Sequence, residues 1–164
     1  MLKLIGAVMI IVSGAAWGFL QSERLKKRTE ELEKLISALG LLENDIAYGK
    51  RDIKTALYSI GRLQDVKLFC SAAENMDSVG IKNAFLSALD THGEYLSGTD
   101  KEAAAVLADN LGMTDSSTQI KCIRHTVGIL KTAHENAVCE YEKSGKLYRG
   151  IGVLAGLAAV ILLF

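Results

Sequence analysis

The long charge-free apolar runs of this chain lie at its two ends, and that placement constrains it more than any other feature. Leu4 to Leu20 reads LIGAVMIIVSGAAWGFL, Ile151 to Phe164 reads IGVLAGLAAVILLF, and all 19 acidic residues fall between them. A water-facing domain does not leave two such surfaces uncovered. The pattern predicts a helical domain tethered to a bilayer at both ends. As helices rising about 1.5 Å per residue, the 17-residue first run covers roughly 25 Å and the 14-residue second roughly 21 Å. Beginning the second at Leu147 extends it to about 27 Å, against a hydrocarbon core of about 30 Å. Arg149 then falls near the headgroups, where its side chain snorkels outward.

The first run competes with a cleaved signal peptide, because Ser13 to Ala16 reads SGAA and offers small residues near a cleavage point. Charge favours an anchor. Only Lys3 precedes the run, whereas Arg24, Lys26, Lys27 and Arg28 follow it, and a secretory signal carries its positive charge in front. Lys143, Lys146 and Arg149 lie on the inner side of the second run. Both clusters hold the middle of the chain in the cytoplasm, with the termini at or beyond the far face. The expected division is a transmembrane helix over 1–20, a cytoplasmic domain over 21–146 and a second transmembrane helix over 147–164.

That middle segment has the length of one domain. It holds all 19 acidic residues and 17 of the 19 basic ones, a net charge of −2, which is no nucleic-acid footprint. Cys70, Cys122 and Cys139 are odd in number and share no short spacing, so they read as reduced packing residues. Proline is absent from the whole chain, which favours uninterrupted helix.

The apolar spacing agrees. Leu25, Leu32, Leu35, Leu39, Leu42 and Ile46 form one stripe, and after its first gap of seven the steps alternate between three and four. Ile120, Ile123, Val127, Leu130, His134, Ala137 and Tyr141 form another at the same spacing. Each predicts a long amphipathic helix with a coiled-coil seam, the two pairing antiparallel, with Gly145 and Gly150 placed to kink the second. Between them, shorter helices are expected around Ile53–Ile60, Val66–Ala73 and Ile81–Leu89, the last turning Ile81, Phe85, Leu86 and Leu89 inward. Thr99 with Glu102 has the capping-box spacing for a further helix that ends at Leu111-Gly112. Ser116 with Gln119 repeats that spacing where the last helix starts, at Asp115 or Ser116. The fold class is therefore all-α, a helical bundle of about six helices with N- and C-terminal transmembrane helices.

No catalytic pattern is present. Gly145-Lys146 lacks the upstream glycine spacing and the Ser/Thr of a P-loop, and His134-Glu135 is followed by Val138 where a zincin has its second histidine. There is no Gly-x-Ser-x-Gly elbow. Glu43 and Asp45 read as solvated helix charges. The expectation is a protein that is not an enzyme, with no cofactor and no metal. Gly14-Ala-Ala-Trp-Gly18 and Gly152-Val-Leu-Ala-Gly156 both match GxxxG, which lets helix backbones approach closely in a membrane, within one chain or between copies in a homo-oligomer.

Four stretches of this sequence carry a family likeness: the opening MLKLIGAVMIIVSGAAWGF, LENDIAYGKRDIKTAL at Leu42 to Leu57, LADNLGMTDSSTQIKCI at Leu107 to Ile123, and the ending KLYRGIGVLAGLAAVILLF. Together they resemble the stage III sporulation protein AB family of endospore-forming bacteria. In the second stretch the family usually has Tyr-Gly and then a Thr-Pro-Leu turn. Here Asp52-Ile53 replaces the proline region, so Asp52 is expected to cap the next helix with its side chain. The resemblance implies likeness to the inner-membrane platform proteins of type II secretion and type IV pilus machines. It also implies a place in the outer forespore membrane, with the domain in the mother-cell cytoplasm beside a secretion-type ATPase. On that reading the chain is a scaffold of a channel-like complex between mother cell and forespore. Glu43, Asp45, Tyr48, Asp115 and Gln119, in turn regions remote from the apolar ends, are the candidate partner contacts. The alternative is a membrane-tethered sensor or regulator whose bundle binds a small ligand.

Overall fold

Helix forms where the apolar steps run at three and four, and its breaks fall near Gly49, Gly80, Gly93 and Gly112 or at the polar turn Gln64-Asp65. The computed structural model describes residues 2–49, 51–112 and 115–163. Six helices succeed one another there: α1 (Leu2–Ala47), α2 (Ile53–Leu63), α3 (Lys67–Val79), α4 (Ile81–His92), α5 (Gly98–Asn110) and α6 (Ser116–Leu163). The chain divides into two compact units, one made of Met1–Thr29 with Asn136–Phe164, the other of Glu30–Glu135.

In the central unit, Glu30–Glu135, the predicted seams are the core. Leu32, Leu35, Leu39 and Leu42 of α1 and Ile123 and Leu130 of α6 are buried. α3 packs on α2 and on α4, and α4 on α5. The rings of Phe69 and Phe85 meet at 6.3 Å between centroids, tilted by 53°, a favourable aromatic arrangement. On α4 the sequence expectation needs correcting. Ile81 and Leu86 are only half-buried, and Ala84 and Ala88 take the inward places beside Phe85 and Leu89. Small side chains at these positions let neighbouring helices approach, leaving the volume to the aromatic pair.

Two helices of this unit approach closely at Gly61, where a Cβ would lie 2.7 Å from Cys70 Sγ and 2.9 Å from the Cys70 backbone nitrogen. The turn behind it closes when the Val66 N–H donates to the Gly61 carbonyl at 2.9 Å. Asp65 takes a φ of +54° there, a conformation aspartate tolerates better than most residues. Its carboxylate accepts from Lys34 of α1 at 2.9 Å, which holds the Asp65 carboxyl below and the Lys34 ammonium above their usual ranges.

All three proposed caps are revised. Asp52 is the N-cap of α2, yet its side chain makes no capping bond. The box on α5 is formed by Ser97 and Asp100: the Asp100 N–H donates to Ser97 Oγ at 3.1 Å and the Ser97 N–H to the buried Asp100 carboxylate at 2.9 Å. Thr99 lies inside the first turn, too late to cap it. At α6 the Asp115 carboxylate accepts from the Ser117 and Thr118 N–H groups, each at 3.1 Å. Ser116 is already helical, so it cannot cap, and Gln119 turns inward and is buried. Ser97→Ala is expected to destabilise the protein by about 1 kcal/mol and Thr99→Ala by less than about 0.5 kcal/mol. Thermal unfolding followed by circular dichroism separates the two.

In the terminal unit the two helices run antiparallel and meet through glycine. A Cβ on Gly18 would lie 2.3 Å from the Tyr148 carbonyl oxygen, and one on Gly152 would lie 2.4 Å from the Gly14 carbonyl oxygen. Gly145 packs on Ser22 and the Tyr141 ring, and Arg28 pairs with Glu140 at 3.5 Å. Three of the four GxxxG glycines thus meet; the surroundings of Gly156, and the side chain of Arg149, lie outside the described residues. α6 runs through Gly145 and Gly150 without a break. Among the described residues no helix is long and apolar enough to cross a membrane. The two expected terminal spans, runs of 17 and 14 residues against the roughly 20 of a typical single span, are therefore not established by the fold.

Candidate functional site

Four helix ends of the central unit converge. α1 stops at Ala47 and turns through Gly49 at a φ of +57°; α5 stops at Asn110 and turns through Gly112 at +82°. Both glycines occupy the left-handed region that a β-carbon disfavours. Across from these turns lie the beginnings of α2 and α6. They enclose a cleft of about 260 Å³ with a floor of Ile46, Ile53 and Ala56 and polar walls of Asp45, Arg51, Asp52, Ser116 and Gln119.

Of the five residues expected to contact a partner, Asp45 and Gln119 line this cleft. Tyr48 projects from the adjoining turn and is 72% exposed. Glu43 is engaged by Arg124 of α6, whose Nε donates to its carboxylate at 2.7 Å. Asp115 is occupied as the cap of α6. The sequence reading missed Arg51, Asp52 and Ser116; the break after Tyr48-Gly49 marked the turn, but only the fold sets it opposite α6. Arg51 stands 4.0 Å from the Asp45 carboxylate and donates to Ser59 Oγ at 3.2 Å. The cleft thus offers two carboxylates and one weakly held guanidinium above an apolar floor, with the buried Gln119 in its wall, which suits a polar side chain of a partner.

The Asp115 cap has a pH signature. The Thr118 hydroxyl and the Ser117 N–H, foremost among its donors, hold the carboxyl below its ordinary value of 3.8. A lowered folded value means the cap's stabilisation is fully present above 3.8 and lost as pH falls through that lower value. In an NMR acid titration the Ser117 and Thr118 amides are expected to stay unchanged above 3.8 and to shift below it. Asp115→Ala should abolish that shift.

A second depression, of about 570 Å³, is lined by Arg62, Asp65, Lys67, Cys70, Glu74 and His92. Burial pushes the Cys70 thiol up, so it stays protonated and weakly nucleophilic at neutral pH. Burial does the same to Cys122, and all three cysteines are free thiols. Among the described residues no three metal-ligating side chains come together.

Charge separates the two units. The terminal unit carries eight basic and three acidic residues, a net of +5, and the central unit eleven basic and sixteen acidic, a net of −5. In the terminal unit, moreover, glycine and Ser22 are inside while Met9, Val12, Trp17, Phe19, Leu20, Leu154 and Ile161 are exposed.

The profile of stage III sporulation protein AB matches residues 3–164. Stage III sporulation protein AB of Bacillus subtilis (strain 168) is 31% identical over 170 residues, covering 99% of each chain. A solved structure of a stage III sporulation protein AB superposes with a TM-score of 0.62 at 25% identity, over 69% of this chain and 94% of that one. With both units of the chain inside the matched region, this protein belongs to the stage III sporulation protein AB family.

Proposed function

We propose that this sporulation protein is a non-enzymatic platform, held at a membrane by its terminal unit and offering its central unit to other components of a sporulation assembly. The observation that carries the reading is the inside-out build of the terminal unit. Large apolar side chains face outward, Leu154 at 66% and Ile161 at 79% exposure, while the helix contact is made by glycine. In water that arrangement wastes the hydrophobic effect; in lipid, where apolar surface has no reason to hide, close backbone packing holds helices together. Two short helices fastened side by side can cross a hydrocarbon layer that thins locally to match them.

The basic residues after Leu20 and before Ile151 favour a central unit on the cytoplasmic side. By family resemblance this is the mother-cell side of the outer forespore membrane, in a secretion-like channel complex that includes an ATPase. The cleft between Asp45 and Gln119 is the proposed docking point for that ATPase or a neighbouring component. Cysteine accessibility tests the topology in intact vegetative cells made to express the protein, where the membrane that holds it is the cell membrane. In a background lacking Cys70, Cys122 and Cys139, a cysteine in the central unit is expected to resist membrane-impermeant reagents added from outside. Labelling of that position from outside would overturn the reading. Charge reversal at Asp45 and Asp52 is expected to weaken ATPase co-purification; unchanged association would remove the cleft as the contact.

A further inference from the structure

We infer that the terminal unit recognises the negative charge of anionic phospholipids, through a band of basic side chains just beyond its apolar surface. The inference rests on the membrane attachment proposed above and goes further by naming the lipid chemistry. Along the terminal unit the exposed groups change in order. Met9 and Val12 on α1 and Leu154, Leu157 and Ile161 on α6 are apolar and exposed. Next come two aromatic residues at one level: Trp17, 53% exposed, directly precedes Gly18, and Gly18 lies against the backbone of Tyr148. Tryptophan and tyrosine favour the boundary between hydrocarbon and headgroups.

Exposed Phe19, Leu20 and Leu147 carry the apolar surface just past that level, and beyond them the charge becomes basic. Arg24, Lys26, Lys27 and Arg28 follow Leu20 by four to eight residues, or about 6 to 12 Å along a helix. A headgroup layer is about 5–7 Å deep on each side of the bilayer, and attraction to its charge persists for roughly a Debye length of 8–10 Å beyond. All four residues therefore fall within reach. At about 100° per residue they are spread around α1 rather than along one stripe, with Arg24 and Arg28 on the face of Trp17. Lys143 is exposed on α6. Glu140 is paired with Arg28, and the unit keeps its excess of five positive charges after all three of its acidic residues are counted. A neutral headgroup gives such an excess nothing to bind, whereas each basic residue near an anionic surface favours association about fivefold.

Trp17 is the sole tryptophan, so its fluorescence reports the lipids that surround this unit. The full chain would be reconstituted into vesicles of equal parts phosphatidylglycerol and phosphatidylcholine, with bromine near the headgroup in the acyl chains of one lipid or the other. The expected result is stronger quenching by the brominated phosphatidylglycerol, equivalent to a threefold to tenfold preference. The preference should shrink in high salt, a readout that needs no variant. It should also approach unity in Arg24→Gln/Lys26→Gln/Lys27→Gln, which preserves helix propensity and leaves the Arg28–Glu140 pair intact. Equal quenching by both lipids overturns the lipid-charge inference while the membrane attachment stands. Quenching by neither overturns the attachment itself. A preference that survives in the triple variant removes these residues as its source.

Discussion

Gly152→Leu is expected to part the two helices of the terminal unit and to lower the yield of heat-resistant spores at least tenfold. The reason is geometric. A Cβ at this position would stand 2.4 Å from the Gly14 carbonyl oxygen and 3.2 Å from the Gly18 Cα, and neither neighbour is a side chain that can turn away. Backbone must move against backbone, and overpacking of this kind costs about 1–3 kcal/mol or more. Gly18→Leu meets the Tyr148 carbonyl oxygen at 2.3 Å and should act alike. Gly6 and Gly150 supply the control, because a Cβ on either meets nothing within 4 Å, so leucine at those positions should leave the pair intact.

Disulfide trapping reads the effect directly. A Cβ on Gly145 would lie 3.3 Å from Ser22 Oγ, so cysteines introduced at 22 and 145 are positioned to bridge in a chain without its natural cysteines. Rapid bridging is expected there, and slow or absent bridging once Gly152→Leu is added. Unimpaired bridging in the leucine chain would show that the glycines do not set the helix spacing.

Phe85→Ala has the largest expected effect on stability. Phe85 is 0% exposed and packs against Phe69 with ring centroids 6.3 Å apart, so truncation removes buried aromatic area and leaves a cavity at the α3–α4 contact. A loss of about 3–5 kcal/mol is expected, out of the 5–15 kcal/mol typical of a folded protein. Leu86→Ala, one residue further along but only half-buried, should lose well under half as much. Urea unfolding of the full chain in mild detergent, followed by circular dichroism, gives the comparison. Equal losses at the two positions would place the inward face of α4 where the apolar spacing put it rather than where Ala84 and Ala88 lie.

That contrast on α4 shows how far the sequence could be read. The steps of three and four from Leu32 to Leu42 and from Ile123 to Leu130 located both long helices and their buried faces, since a stripe that long has one way to leave water. Gly112 ended α5 as expected, because few residues but glycine turn through a φ of +82° without strain. Caps were less legible. Ser97, Thr99 and Ser116 are chemically alike, and which of them caps depends on the one residue where the backbone leaves helical angles. The candidate site was legible only in part: Asp45 and Gln119 were named as contacts, but Arg51 and Asp52 became their neighbours through the turn after Gly49.

The amino-acid order by itself determined the helical class, the two long seams, the apolar ends and the basic residues beside them. Each is a local pattern, fixed by periodicity and charge without reference to distant contacts. Tertiary structure decided which glycines touch, which alanines are buried and that the ends of α1 and α5 enclose a cleft with the beginnings of α2 and α6. These depend on residues far apart in the chain, such as Asp45 and Gln119 at the cleft or Gly14 and Gly152 between the terminal helices, and no local spacing encodes which of them will meet.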